Sequence, residues 1–222
     1  MIIITTNDKY IAFTILIGGK SSRFGSDKGL YRYNGKSLIS YQIETLSLLN
    51  LDIFLVAHSP KQVQSYLDTI NYHKISGFIL DQQREFKSKD LRSPMLGLYS
   101  AFLELDKIGY CKTFSISCDT PLINRAVITL MIDESKDFDC VIPKWSNDYL
   151  EPLFAIYPVQ KALSQAKINL KSRKFKLVNL LNPEWNIKYI SVENSIQKYD
   201  KNLSSFININ KNIDLELLES FF

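Results

Sequence analysis

The chain has 222 residues, 45% hydrophobic and 23% charged, a balance that sustains a sizeable core and excludes a disordered or fibrous protein. Its 27 Lys and Arg against 23 Asp and Glu leave a net charge of +4, which suits anionic small molecules and is too small to imply nucleic acid. The three cysteines, Cys111, Cys118 and Cys140, form neither a CxxC pair nor an even set, so they offer no zinc site and suit a reducing compartment.

In chain order, the opening MIIITTNDKYIAFTILIGG is apolar but broken by Asn7, Asp8 and Lys9. It has no basic leader or small-residue cleavage site, and no run reaches the ~20 apolar residues of a bilayer span, so a cytoplasmic location without a membrane partner is expected. Ile11–Ile17 reads as a buried strand running into a glycine-rich loop, and YRYNGKS as a small hairpin turned at Asn34-Gly35. Leu38–Asn50 has helical spacing, DIFLVA is a second strand, Pro60 opens a helix and SGFILD is a third strand. Pro94–Asp106 is a long helix, KTFSIS a fourth strand, Asn124–Ser135 a helix, and CVIP and LFAIYP two more strands. From Pro158 to Asn182 the chain carries Lys161, Lys167, Lys171, Arg173, Lys174 and Lys176 and no acid. The tail SSFININKNIDLELLESFF predicts a strand, a turn and a closing amphipathic helix.

Strands alternating with helices predict an α/β fold, with a mostly parallel Rossmann-like sheet covered on both faces as a three-layer αβα sandwich. No linker or repeat interrupts residues 1–222, so a single domain is expected. Ligands of such sheets bind at the carboxyl ends of the strands, which selects the loops after Ile17, Val56, Leu80 and Ser117.

The first of these lies in LIGGKSSRFGSDKGL, Leu16 to Leu30. It is not a Walker A loop, because Thr14 stands where the glycine before Gly19-Lys20 is required and Leu30 where it is required before Gly35-Lys36. The dinucleotide pattern fails as well, since Lys20 lies two residues after Gly18. What remains is a strand end closed by Gly18-Gly19, followed by Arg23 and Lys28. Glycines there let backbone N–H groups approach phosphate, and the two cations add charge-assisted contacts. A surface turn with solvated charges is the alternative.

This loop resembles the signature of nucleotidyltransferases, most specifically the molybdenum cofactor guanylyltransferases, with Ile17 for the family's Ala and Phe24 for its Met. Later motifs follow in the family's order: ILD ending at Asp81, SPMLGLYSAF with Ser93 for a glycine, SCDTPLI, EPLFAIY with Glu151 where His or Gln is expected, and FININ. The resemblance implies transfer of GMP from GTP to the terminal phosphate of molybdopterin or molybdenum-molybdopterin, with release of pyrophosphate. It also implies nucleotide binding by Leu16, Ile17, Gly18, Gly19, Lys28, Asp81 and Asp119, and catalytic roles for Arg23, Lys28 and Asp119. Mg²⁺ would sit on Asp119, Asn208 and Asn210 would lie on the second-substrate side, and other cofactor-biosynthesis proteins and apo-molybdoenzymes would be partners.

Read as residues alone, several of these positions keep two meanings. Asp119 suits Mg²⁺, which takes one or two carboxylates plus phosphates, and equally an Asp-Thr-Pro turn cap. Asp81 can accept two N–H bonds from a guanine edge or face water. Asn208 and Asn210 share one side of an alternating segment whose isoleucines face the core. The basic tract is a phosphate dock or a solvated face, and Trp145 and Tyr149 are stacking surface or packing. His58 and His73 show no triad or metal spacing. Two rivals stay open: a cytidylyl- or sugar-phosphate nucleotidyltransferase, and a non-catalytic GTP-binding delivery protein.

Overall fold

A computed structural model describes residues 9–18, 27–86, 92–209 and 214. Strand β1 (Lys9–Leu16) lies at the centre of the sheet, parallel to β4 (Ile53–Ala57) on one side and to β6 (Tyr110–Ser117) on the other. Beyond β4 comes β5 (Gly77–Leu80), also parallel. Beyond β6 the direction reverses. Strand β8 (Phe154–Pro158) is antiparallel to β6 and to β7 (Cys140–Lys144), and β9 (Ile187–Ser191) closes the edge parallel to β7. The order is β5-β4-β1-β6-β8-β7-β9.

The expected three-layer sandwich is present. One face of β1, with Ile11, Phe13 and Ile15, packs against α1 (Leu38–Ser47), α2 (Pro60–Leu67) and α4 (Arg125–Glu134) through Ile39, Ile43, Tyr66, Val127 and Met131. The other face of the sheet is covered by α3 (Pro94–Lys107) and α5 (Val159–Lys171), whose Met95, Leu98, Phe102, Ala162 and Leu170 form the second core. Burial on both faces explains why β1 reads as an unbroken apolar run rather than an alternating one. Among the described residues no helix is long and apolar enough to cross a membrane.

The hairpin is where the sequence puts it: β2 (Arg32–Tyr33) pairs with β3 (Lys36–Ser37) across Asn34 and Gly35, whose φ values of 46° and 80° match a type I′ turn. The tail differs from expectation. Residues Ser204–Phe206 form a single 3₁₀ turn, and 207–209 run on without entering the sheet. Ile207 N–H bonds back to the Ser204 carbonyl at 3.1 Å, and Ile209 N–H pins the segment to the Asp119 carbonyl at 2.8 Å. Of the expected closing helix, only Asp214 is described, in helical conformation.

Candidate active site

Three cavities share walls along the carboxyl edge of the parallel strands. The first, about 250 Å³, is lined by Leu16, Gly18, Val56, His58, Asp81, Arg92, Ser93, Pro94 and Gly97. A second continues from Leu16, Gly18 and Pro94 to Asp27, Lys28, Ser117, Cys118 and Asp119. The third begins at Ser117, Asp119 and Leu153 and is walled by Tyr149, Glu151, Phe206 and Asn208. They form one groove with Lys28 and Asp119 at its middle.

Register builds this groove. Ile17 and Gly18 donate their N–H groups to the Val56 carbonyl, Asp81 N–H bonds Ala57 and Cys118 N–H bonds Leu16, so the loops after β1, β4, β5 and β6 leave the sheet side by side. Lys28 Nζ stands 3.6 Å from Asp119 Oδ2, an ion pair with both side chains about four-fifths buried. The other Asp119 oxygen, Oδ1, is buried and has no hydrogen-bond partner among the described residues. A buried carboxylate oxygen held next to a cation but unsatisfied is a donor suited to a hard divalent ion. Among the described residues no group of three or more His, Cys, Asp or Glu could enclose a metal, and Mg²⁺ is ordinarily held by one or two carboxylates together with waters and phosphate oxygens.

Asp81 closes the first cavity. Burial lifts its carboxyl from the ordinary 3.8 to about 6, and the positive charge of Arg92 works against that rise. Gly97, one turn into α3, keeps the floor open: a Cβ there would lie 3.3 Å from Leu16 Cδ2 and 3.7 Å from Asp81 Oδ1. Ser93 is not an idle replacement for glycine, because its hydroxyl accepts Leu96 N–H and caps α3. Burial drives the Cys118 thiol far above its usual range, which leaves it neutral and unsuited as a nucleophile.

Leu16, Ile17, Gly18, Lys28, Asp81, Asp119 and Asn208 thus line the groove or its immediate wall. Gly19, Arg23 and Asn210 lie outside the described residues. Asn208 is exposed on the third cavity while Ile209 is buried against Leu38, so the expected alternation holds across these two positions. Tyr149 lines the third cavity and is 60% exposed, whereas Trp145 packs edge-on against Phe206 and donates its indole N–H to Glu151 at 2.8 Å. Lysines and arginines of the basic tract line none of the three cavities. Lys161 pairs with Asp139, and Lys171, Arg173, Lys174 and Lys176 are exposed.

Two buried glutamines were missed. Gln42, on the apolar face of α1, donates to the Ser117 and Thr120 carbonyls at 2.7 Å each and so braces the turn that carries Asp119. Gln62 on α2 ties Ile17 to Asp27. A lone polar residue on an otherwise apolar helix face was the available signal for Gln42.

A cleft across the carboxyl edge of the parallel strands, with a lysine–carboxylate pair at its centre, is a place and a charge pattern suited to the phosphates of a nucleotide. The chain belongs to the MobA-like NTP transferase domain family, whose model matches residues 13–179. It is 31% identical over 209 residues to a Pyrococcus horikoshii protein named "Probable molybdenum cofactor guanylyltransferase", covering 92% of this chain and 96% of the relative. A "Molybdenum cofactor guanylyltransferase" from Desulfosudis oleivorans is 28% identical, with 93% of each chain covered. Among solved structures, molybdopterin-guanine dinucleotide biosynthesis protein A from Archaeoglobus fulgidus superposes with a TM-score of 0.74 at 27% identity, covering 95% of this chain and 97% of the other.

Proposed function

We propose that this enzyme transfers GMP from GTP to the terminal phosphate of molybdopterin, bare or carrying molybdenum, yielding the guanine dinucleotide and pyrophosphate. The observation that carries the reading is the continuity of the groove: a base-sized cavity ending at Asp81, a phosphate crossing at Lys28 and Asp119, and a second cavity beyond them. An oxygen of the acceptor's terminal phosphate attacks the α-phosphorus in line. The new P–O bond forms as the bond to the bridging oxygen of the departing pyrophosphate breaks.

Each residue contributes binding or charge. Leu16, Ile17 and Gly18 wall the groove where the nucleotide enters, Ile17 and Gly18 holding the loop to Val56 through their N–H groups, and the Asp81 carboxylate accepts N–H bonds from the guanine edge. Lys28 offsets charge on the triphosphate as pyrophosphate leaves, a role the family resemblance extends to Arg23. Asp119 would hold Mg²⁺ through Oδ1, and the ion when bound neutralises phosphate charge. Asn208, Tyr149 and Glu151 face the acceptor.

Pyrophosphate release measured with molybdopterin and a panel of GTP, CTP and ATP tests this reading. Turnover with GTP well above the others supports it. A preference for CTP would make the enzyme a cytidylyltransferase, and GTP binding without turnover would favour a delivery protein.

A further inference from the structure

Gln62 lies behind the groove, between His58 on the wall of the first cavity and Asp27 on the wall of the second. It is 6% exposed, near the start of α2, where the Ser59 hydroxyl caps the helix. Its amide nitrogen donates to the Ile17 carbonyl at 2.8 Å and to Asp27 Oδ2. Because both of these are acceptors, the amide can be turned only one way. Gln62 Oε1 therefore faces His58, accepting its backbone N–H at 3.0 Å and lying 2.7 Å from ring Nδ1. That second contact requires the proton on Nδ1, so the ring is fixed in one tautomer on the wall of the base cavity.

At the other end, Asp27 is clamped. Tyr66, fully buried one helical turn after Gln62, donates its hydroxyl to Asp27 Oδ1 at 2.7 Å, and the same oxygen accepts Gly29 N–H at 3.3 Å. Asp27 is the cap of the 3₁₀ turn that begins at Lys28. A side chain at Gly29 would collide with the Tyr66 hydroxyl, so the turn can close on this clamp only with glycine. His58, Gln62, Asp27 and Lys28 form an unbroken chain of contacts from base cavity to phosphate crossing.

We propose that Gln62 is a positioning residue that couples the base cavity to Lys28, so that what occupies the first cavity is felt at the reacting phosphate. The proposal rests on the nucleotide-binding reading of the groove but not on which base it takes.

The test is a mutant cycle read by calorimetry on the full chain, with GTP, CTP and ATP titrated separately. His58→Ala and Lys28→Ala are made singly and together, in the native background and beside Gln62→Leu. We expect their effects on Kd to be non-additive by ~3–10-fold in the native background and additive once Gln62 is replaced. If Gln62→Leu fails to unfold cooperatively, Gln62→Glu, which keeps the shape and loses the amide donor, takes its place. Additive effects in the native background overturn the proposal, as does coupling that survives loss of Gln62. Tightest binding of a base other than guanine would overturn the GTP assignment and leave the coupling measurable. Failure of all three nucleotides to bind overturns both.

Discussion

Asp81 and Asp119 stand at the same sheet edge in different surroundings, and their chemistry follows from that. Asp119 has Lys28 beside it, while Asp81 is held mainly by burial, which raises its carboxyl to about 6. An N–H donor on a base needs the ionised form of Asp81, so GTP affinity should fall as pH drops through about 6. We expect roughly tenfold weaker binding at pH 5 than at pH 7, by calorimetry, and a weak, flat profile in Asp81→Asn. The same rise acts on stability with the opposite preference. Between its ordinary 3.8 and about 6 the folded chain holds this proton more tightly than the unfolded one, so this group's contribution grows as pH falls across that window. At the centre of the groove, Lys28→Ala and Asp119→Ala should each lower turnover by ~100-fold while circular dichroism stays native. Wild-type rates in Asp119→Ala would remove the metal from this carboxylate.

At the scale of the elements, the helices matter to the site as much as the strands do. Gly97→Ala tests α3. Alanine raises helix propensity by about 1 kcal/mol, but its methyl meets Leu16 at 3.3 Å, so thermal stability should change little while nucleotide affinity drops. Between β1 and β6, Thr14 bonds the Thr113 and Ser115 hydroxyls at 3.0 Å inside the core. Thr14→Val should cost about 1 kcal/mol in urea unfolding without altering turnover kinetics. Most elements were legible because their signals are local: apolar runs for strands buried on both faces, Pro60 and Pro94 at helix starts, and Asn34-Gly35 in the hairpin. Strand β9 was not, since it is an edge strand with Tyr189 47% exposed and little alternation to mark it. Helix α5 was hidden behind its lysines, of which Lys161 and Lys171 are exposed. FININ alternates like a strand, yet over 206–209 its backbone bonds the turn before it and the Asp119 carbonyl rather than a neighbouring strand. The bonds of Gln42 and Gln62 were hard to read for a further reason: Ser117, Thr120, Ile17 and Asp27 lie far from them in sequence.

Across the whole molecule, the tail completes the third cavity from a distance. Asp200, 4% exposed, accepts Ser204 N–H at 3.0 Å and Ser205 N–H at 2.8 Å, and so folds the turn that presents Phe206 and Asn208. Asp200→Ala should therefore destabilise the chain by about 1–3 kcal/mol in thermal unfolding and raise KM for the acceptor more than for GTP. The groove's position was legible from the alternation of strands and helices, and Asn208 and Tyr149 of the third cavity were named from the sequence; the reversal at β8 that brings β8 and the Tyr149 segment to this edge was not. That reversal has a consequence for how such an enzyme changes over time. Strands β1, β4, β5 and β6 reach the groove with their endings, whereas β8 meets the same edge with its beginning, next to Ser117. The groove thus has two halves of different construction, strand endings on one side and a strand beginning with its short connection on the other. Rewriting the short connection that carries Tyr149 and Glu151 would retune the acceptor while the seat of the nucleotide stayed as it was.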